Sequence, residues 1–165
     1  MRQYIAGASH TAAGVVTEVS TLTGLNTMLQ VATPATTGIV LLGWGISFKG
    51  IASADTPILC YLLDCDVGMT AAASLTPDAF NAEGFDVASL CVGGTGATCV
   101  NDGAVTEGTI TASRLFDSEE VHPQSGYGVW FAPDARPYTP PSRYLRVRVN
   151  AAVAVNCLPW IAWQE

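Results

Sequence analysis

Positive charge is what this sequence has least of. Seven Lys and Arg, with Lys49 as the single lysine, stand against fourteen Asp and Glu in 165 residues, so the formal net charge is −7. Proteins that bind the nucleic-acid backbone need clustered Lys and Arg to displace its counterions. The composition therefore argues against nucleic acid as a partner.

Charge of either sign is scarce. Charged residues make up 13% of the chain, against about 25% in an average soluble domain. Because a freely soluble monomer usually exposes many charged side chains, the composition predicts that other protein covers part of this surface. Apolar residues make up 49%, enough for one domain of this length to bury its own core.

Long apolar runs, an export signal and paired cysteines are also missing. No run approaches the ~20 residues of a membrane-spanning helix, so no membrane partner is expected. Arg2 is the only early positive charge, and the stretch 7–11 is too polar for a secretory signal. The five cysteines, Cys60, Cys65, Cys91, Cys99 and Cys157, include no Cys-x-x-Cys pair. We expect them to be reduced and free of metal, although the spacing of Cys91 and Cys99 allows a loop disulfide.

Sequence motifs of catalytic and metal-binding sites are absent as well. His10 and His122 are the only histidines, and the run from Glu119 to Pro123 has no metal-ligand spacing. There is no Gly-x-Ser-x-Gly elbow, and the stretch 64–75 lacks the glycine and glutamate positions of a calcium loop. The sequence therefore predicts no catalytic residue, no cofactor and no metal, and a protein that is not an enzyme.

What the sequence does have is the pattern of an all-β protein. Its 16 Gly and 9 Pro punctuate short segments of alternating apolar residues. Strands are predicted at 27–31, 38–49, 57–64, 108–116 and 127–132, and over 143–165 as two antiparallel strands that turn near 150–153. In the second strand, the residues predicted to share the buried face are Val40, Leu42, Trp44, Ile46 and Phe48. Together these strands predict a single-domain antiparallel sandwich or jelly roll over residues 26–165.

Two segments depart from this pattern. Residues 1–25 are small and rich in hydroxyl groups, and are predicted to form an extended N-terminal arm. Residues from about 67 to 107 are predicted to be a long excursion from the core. Within it, Thr76 as N-cap, Pro77 and Gly84 predict one short helix, and residues 87–92 a further strand.

Four residues are the candidate partner contacts: Arg136, Arg146, Arg148 and Trp130. Arg146 and Arg148 alternate with valines, so they are predicted to project from the solvent side of one strand and to pair with carboxylates. Arg136 belongs to the same basic cluster, and Trp is enriched at interfaces. A plain solvated strand face explains the arginines equally well.

Several segments together resemble a known family. They are Leu29–Thr37, Gly45–Gly50, His122–Gly126, Asp134–Pro137, Leu145–Asn156 and Trp163–Glu165. In this order and spacing they resemble a family of small tailed-bacteriophage virion proteins, the β-sandwich or jelly-roll head decoration (minor capsid, cement) proteins. The resemblance covers about residues 27–66 and 114–165.

The resemblance implies a non-enzymatic structural role. A protein of this family decorates and stabilises the outside of an icosahedral head, bound to the major capsid protein as a homotrimer at local threefold axes. Its location would be the capsid exterior, and the host cytoplasm during assembly. The resemblance transfers no particular binding residues to this chain.

A second hypothesis is a carbohydrate-binding or hydrolytic jelly-roll module, or another structural protein of the tail or neck. A sugar platform would need exposed aromatic side chains such as Trp130, Tyr127 or Tyr138, backed by acids. Fewer than three exposed aromatic residues on one concave face would count against it.

Overall fold

The computed structural model describes residues 2–7, 18–50, 56–70, 73–74, 77–79, 89, 91, 98–99 and 107–165. Within these residues the chain forms thirteen β-strands. They are β1 (Gln3–Gly7), β2 (Val19–Ser20), β3 (Gly24–Ala32), β4 (Ile39–Lys49), β5 (Ile58–Cys65), β6 (Ala73–Ser74), β7 (Asp78–Ala79), β8 (Thr98–Cys99), β9 (Ser113–Val121), β10 (Gly126–Trp130), β11 (Tyr138–Thr139), β12 (Tyr144–Ala151) and β13 (Asn156–Gln164).

The strands form two antiparallel sheets. The first sheet has the order β10-β4-β13-β1-β7, with β11 paired to β4 and β2 paired to β13. The second has the order β6-β8-β3-β12-β5-β9. The predicted all-β antiparallel sandwich is confirmed.

The core lies between the sheets and takes alternate residues from the central strands. Successive side chains of a strand point to opposite faces, so each strand contributes every second residue. From the second sheet the core receives Leu145, Val147 and Val149, and from the first Trp44 and Trp163; all five side chains are fully buried.

A β-bulge changes the predicted buried face of β4. Where Ala162 and Trp163 of β13 pair with this strand, the register shifts and Leu42 is an extra residue. One extra residue moves the alternation to the other face. The core cluster therefore contains Trp44, Ile46 and Phe48 as predicted, but Ile39 and Leu41 in place of Val40 and Leu42.

The two C-terminal strands form where they were predicted, but they do not pair with each other. β12 lies between β3 and β5 in the second sheet, whereas β13 lies between β4 and β1 in the first. Each strand is central, so both of its hydrogen-bonding edges are already used. The turn between them carries the chain from one sheet to the other.

Part of the predicted N-terminal arm belongs to the first sheet. β1 lies between β13 and β7 and buries Tyr4 and Ala6. β2 pairs with the beginning of β13. Residues 8–17 lie outside the described part of the chain.

The predicted helix in the excursion is wrong at Asp78–Ala79, which form β7 and pair with β1. The backbone groups along the edge of β1 need partners, and this pairing outweighs the local helix-start signals. The remainder of that helix, apart from Pro77, lies outside the described residues. Of the predicted strand 87–92, Ser89 and Cys91 are described and neither is in a strand.

Candidate partner-binding face

The outer face of the first sheet is built on glycine. β4 places Gly43 and Gly45 on this face, and β10 places Gly128 opposite Gly45. A Cβ on Gly45 would lie 2.5 Å from Trp160 Nε1, and a Cβ on Gly43 would lie 3.0 Å from the ring of Trp130. The missing side chains let two indole rings approach the backbone closely.

These two tryptophans come from the strands on either side of β4 and meet above its glycines. Trp130 of β10 pairs with Gly43, and Trp160 of β13 pairs with Gly45. The ring centroids are 5.1 Å apart and the planes are inclined by 33°. Trp130 is 54% exposed, and Trp160 is partly buried. We call Trp130 and Trp160 the tryptophan pair.

The surface around the tryptophan pair is uncharged. Tyr138 of β11 pairs with Val40 on the same outer face and is 50% exposed. Leu158 of β13 continues the surface in the other direction, beside Ser47. Among the described residues, charged groups lie at the margins of this surface: the Lys49–Glu18 ion pair of 3.1 Å at one end and Asp78 on the edge strand β7. We call the surface of Trp130, Trp160, Tyr138, Val40 and Leu158 the aromatic face.

Tyr127 points into the sandwich, unlike Trp130 and Tyr138. Its hydroxyl donates to Asp117 Oδ2 over 2.8 Å, and the same oxygen accepts from Trp44 Nε1 at 3.0 Å. Burial, reinforced by the hydrogen bond to Asp117, raises the pKa of Tyr127 to about 12. Asp117 thus links β9 to the first sheet, and Tyr127 is not part of an exposed platform.

Arg146 lies on the outer face of the second sheet but is fully buried. Its Nε donates to Gln30 Oε1 at 3.0 Å, and its Nη1 donates to the carbonyl and carboxylate oxygens of Glu107 at 3.0 and 3.1 Å. Its Nη2 donates to the carbonyl of Val67. The prediction that Arg146 projects to solvent is therefore wrong, because both ends of the excursion cover it.

Arg148 belongs to the same cluster of ion-paired side chains as Arg146 and Glu107. Its Nη2 lies 3.3 Å from Glu107 Oε2, and its guanidinium lies 5.9 Å from the ring centroid of Tyr61. Only 11% of the side chain is exposed. Two arginines share one carboxylate here, and burial lowers the pKa of Arg146.

The four predicted contact residues do not form one site. Trp130 lies on the outer face of the first sheet, while Arg146 and Arg148 lie on the outer face of the second. Arg136, between β10 and β11, is partly buried, and its Nε has no hydrogen-bond partner among the described residues.

Sequence reasoning missed Arg114 of β9. It lies opposite Asp64 of β5, whose fully buried carboxylate accepts bonds from Arg114 Nε and Nη2 and from Arg143 Nη2. Arg114 Nη2 also donates to the carbonyl of Tyr138 at 2.9 Å, which places it at the margin of the aromatic face. The hydrogen bond to Asp64 raises the pKa of Arg114. Asp64 is far from Arg114 in sequence, so no local pattern indicated the pair.

The cysteines and histidines do not assemble a reactive site among the described residues. Cys60, Cys65, Cys91 and Cys157 are free thiols and buried, and burial raises the pKa of Cys60 and of Cys91 to about 12. His122 is exposed, and its Nδ1 accepts a bond from the backbone of Gln124 in the turn before β10. In the same described ranges, no three His, Cys, Asp or Glu side chains are placed to hold a metal ion.

Comparisons of the chain with protein-family models, with curated proteins and with solved structures find no match. In the described part of the chain, no helix has the length and apolar character needed to cross a membrane.

Proposed function

We propose that this chain is a non-enzymatic structural protein that docks on other protein through the aromatic face. Its partner is the major capsid protein of a tailed phage, and it decorates the outside of the icosahedral head, as the sequence resemblance implies. It would reach the head from the host cytoplasm during assembly. The observation that carries the proposal is the tryptophan pair, in which the exposed ring of Trp130 lies against Trp160 among uncharged described residues.

The composition of the aromatic face fits a protein partner. Trp and Tyr are enriched among the residues that dominate binding energy, and charged residues are depleted at the centre of an interface. Exposed aromatic side chains grouped on one face, such as Trp130 and Tyr138, are typical of interaction sites. The net charge of −7 supports an exterior location, because it disfavours contact with packaged DNA.

The mechanism needs no chemical step. Binding that favours the intact shell over its separated subunits stabilises the shell by mass action. Burying the aromatic face across neighbouring capsid subunits would raise the free energy needed to separate them. The low content of charged residues reduces the cost of removing this surface from water.

The test uses expanded phage heads that lack the protein. We expect purified protein to bind them saturably and to raise their melting temperature. Trp130→Ala should weaken binding about 10-fold or more, as for a central aromatic contact. His122→Ala, which removes an exposed ring outside the aromatic face, is the matched control and should bind as wild type. Undecorated heads with unchanged melting at saturating protein would contradict the proposal.

A carbohydrate-binding module is the second candidate, because paired tryptophans can stack on sugar rings. Trp130 and Tyr138 are exposed on one face, but Tyr127, the third expected aromatic residue, points inward. Calorimetric titration with oligosaccharides of the host surface separates the two candidates. Saturable sugar binding that Trp130→Ala abolishes would favour this second function.

A further inference from the structure

Arg114 is both exposed and fixed in place. Half of its side chain is in contact with solvent, while Nε and Nη2 are bonded to the buried carboxylate of Asp64. Nη2 also bonds to the carbonyl of Tyr138, and the guanidinium lies 5.3 Å from the ring centroid of Phe116. Within the described residues, its Nη1 has no partner. A guanidinium held in this way loses little conformational entropy when it binds a further group.

The cluster around Arg114 has an excess of positive charge. Arg114 and Arg143 share the single carboxylate of Asp64, so the three side chains together carry +1. Asp64 is fully buried and Arg143 is 21% exposed, whereas Arg114 is 50% exposed. Asp66, nearby in sequence, has its carboxylate bonded to Thr111 and forms no ion pair with either arginine among the described residues. Arg114 is the most exposed of the three ion-paired side chains, so their excess positive charge is most accessible there.

One neighbour of Arg114, the 50% exposed Tyr138, belongs to the aromatic face. Leu115 is 63% exposed, but it pairs with Leu63 and lies on the outer face of the second sheet. Tyr138 contacts Arg114 through its carbonyl and belongs to the aromatic face through its side chain. A fixed arginine bordered by aromatic and apolar side chains has the composition of an interface hot spot.

We infer that Arg114 is the charged contact of the docking surface and binds an Asp or Glu carboxylate of the protein partner through its Nη1. The inference rests on the proposed function and names the chemistry of the partner: an apolar patch with a carboxylate at its margin. Such a charge-assisted hydrogen bond fixes register and speeds association. One exposed guanidinium on an acidic protein is too little to hold a nucleic-acid backbone.

The first experiment needs no phage head. The Nε–H resonance of Arg114 is followed by ¹H–¹⁵N NMR during titration with N-acetyl-aspartate N-methylamide and, as the neutral match, N-acetyl-asparagine N-methylamide. We expect a clearly larger shift with the aspartate probe than with its neutral match, at high probe concentration, because one exposed ion pair contributes only about 1 kcal/mol or less. Arg114→Gln should remove the resonance, and the remaining spectrum should then show the same small change near Tyr138 with both probes. An equal response to both probes, or none, would overturn the inference.

The second experiment measures binding to phage heads over a range of salt concentrations. We expect Arg114→Gln to weaken binding about 10-fold and to flatten its salt dependence, and Arg114→Lys to lie between Gln and wild type. Lys49→Gln removes an exposed cation at the far end of the same face. It should change neither the affinity for heads nor the salt dependence of binding. Asp64 keeps Arg143 as a partner in these variants, so each should stay folded. The melting temperature of each variant without heads checks this.

The two proposals can fail separately. Heads that bind wild type and Arg114→Gln with equal affinity and equal salt dependence would overturn the role of Arg114 and leave the decoration role standing. Heads that bind neither protein would overturn the decoration role. In that case the NMR titration still decides whether Arg114 recognises a carboxylate.

Discussion

At the scale of single residues, burial decides what the cysteines do. The thiolate is the reactive form of cysteine, and the raised pKa of Cys60, Cys65 and Cys91 keeps these thiols protonated at neutral pH. We expect Cys60, Cys65, Cys91 and Cys157 to resist labelling by a thiol reagent in the native protein, and denatured protein without reductant to yield all five thiols of the sequence. A stable count of three would show one disulfide.

Buried Cys60, Cys91 and Tyr127 make the free energy of unfolding sensitive to alkali. A folded-state pKa raised above the unfolded value stabilises the protein fully below the unfolded pKa, and the stabilisation is lost as pH rises toward the folded value. For Cys60 and Cys91 this window runs from 9.0 to about 12, and for Tyr127 from 10.0 to about 12. We expect the urea midpoint to fall steadily above pH 9. A midpoint that stays constant to pH 11 would contradict their burial.

At the scale of strands, the glycines of β4 test how the aromatic face is built. A Cβ on Gly45 would lie 2.5 Å from Trp160 Nε1 and 2.7 Å from the carbonyl oxygen of Tyr127. Gly45→Ala should therefore destabilise the fold by about 1–3 kcal/mol through overpacking, and displace the ring of Trp160. Urea unfolding and near-ultraviolet circular dichroism measure the two effects. Gly7→Ala is the control, because its Cβ would meet nothing closer than 3.7 Å.

Substitution of Arg146, the buried arginine of β12, tests whether its hydrogen bonds stabilise the fold. Arg146→Met leaves Gln30 and the carbonyl of Val67 without their donor, and each buried acceptor left unsatisfied costs about 1–3 kcal/mol, while Glu107 keeps Arg148 as its partner. Adding Glu107→Gln should increase the loss, since it leaves Arg148 without its carboxylate. Urea unfolding of the single and double variants measures both effects. Equal stability of wild type and Arg146→Met would contradict the cluster. Because Arg146 is buried, weaker head binding by Arg146→Ala would result from loss of the fold and not from loss of a direct contact with the capsid.

The strands themselves were predictable because alternation is a property of one strand. β3, β4, β5, β10, β12 and β13 all form within a few residues of their predicted positions. The bulge at Leu42 was not predictable, since an extra residue changes the buried face without changing the composition. Nor was β7, because its pairing with β1 joins segments far apart in the chain.

The candidate site was predictable only in its most conspicuous residue. Trp130 is a reasonable choice by residue type alone. Its partner Trp160 becomes visible only once β10 and β13 are known to flank β4. The burial of Arg146 depends on Val67 and Glu107, at the two ends of the excursion, and the fixed position of Arg114 depends on Asp64 in a neighbouring strand.

At the scale of the whole molecule, the described part of the excursion extends both sheets at one side of the sandwich. It supplies β7 to the edge of β1 and β8 to the edge of β3. On the other side β9 ends the second sheet and exposes Glu119 and Glu120. Charged side chains on an edge strand discourage pairing with another chain. The molecule is therefore suited to docking by its faces.

The second sheet offers a surface for self-association at one end of its outer face. Leu25 and Leu59 pair with Asn150 from either side, and they are 44% and 38% exposed. Val153, in the turn after β12, is 53% exposed. If the aromatic face contacts the capsid, this patch on the opposite side of the sandwich remains for contacts between copies.

We therefore expect the protein to be a homotrimer or to dock as one, with the Leu25–Leu59 patch between copies. A cyclic trimer joins two different surfaces of each subunit, so a charge placed in one of them should disrupt all three interfaces. Light scattering should report a trimer for wild type and for Trp130→Ala, but a monomer for Leu25→Glu with Leu59→Glu. Both residues are already exposed, so the charged variant should fold, which melting verifies. A wild-type monomer that also occupies heads singly would contradict the trimer, and a trimer that survives both glutamates would place its interface elsewhere.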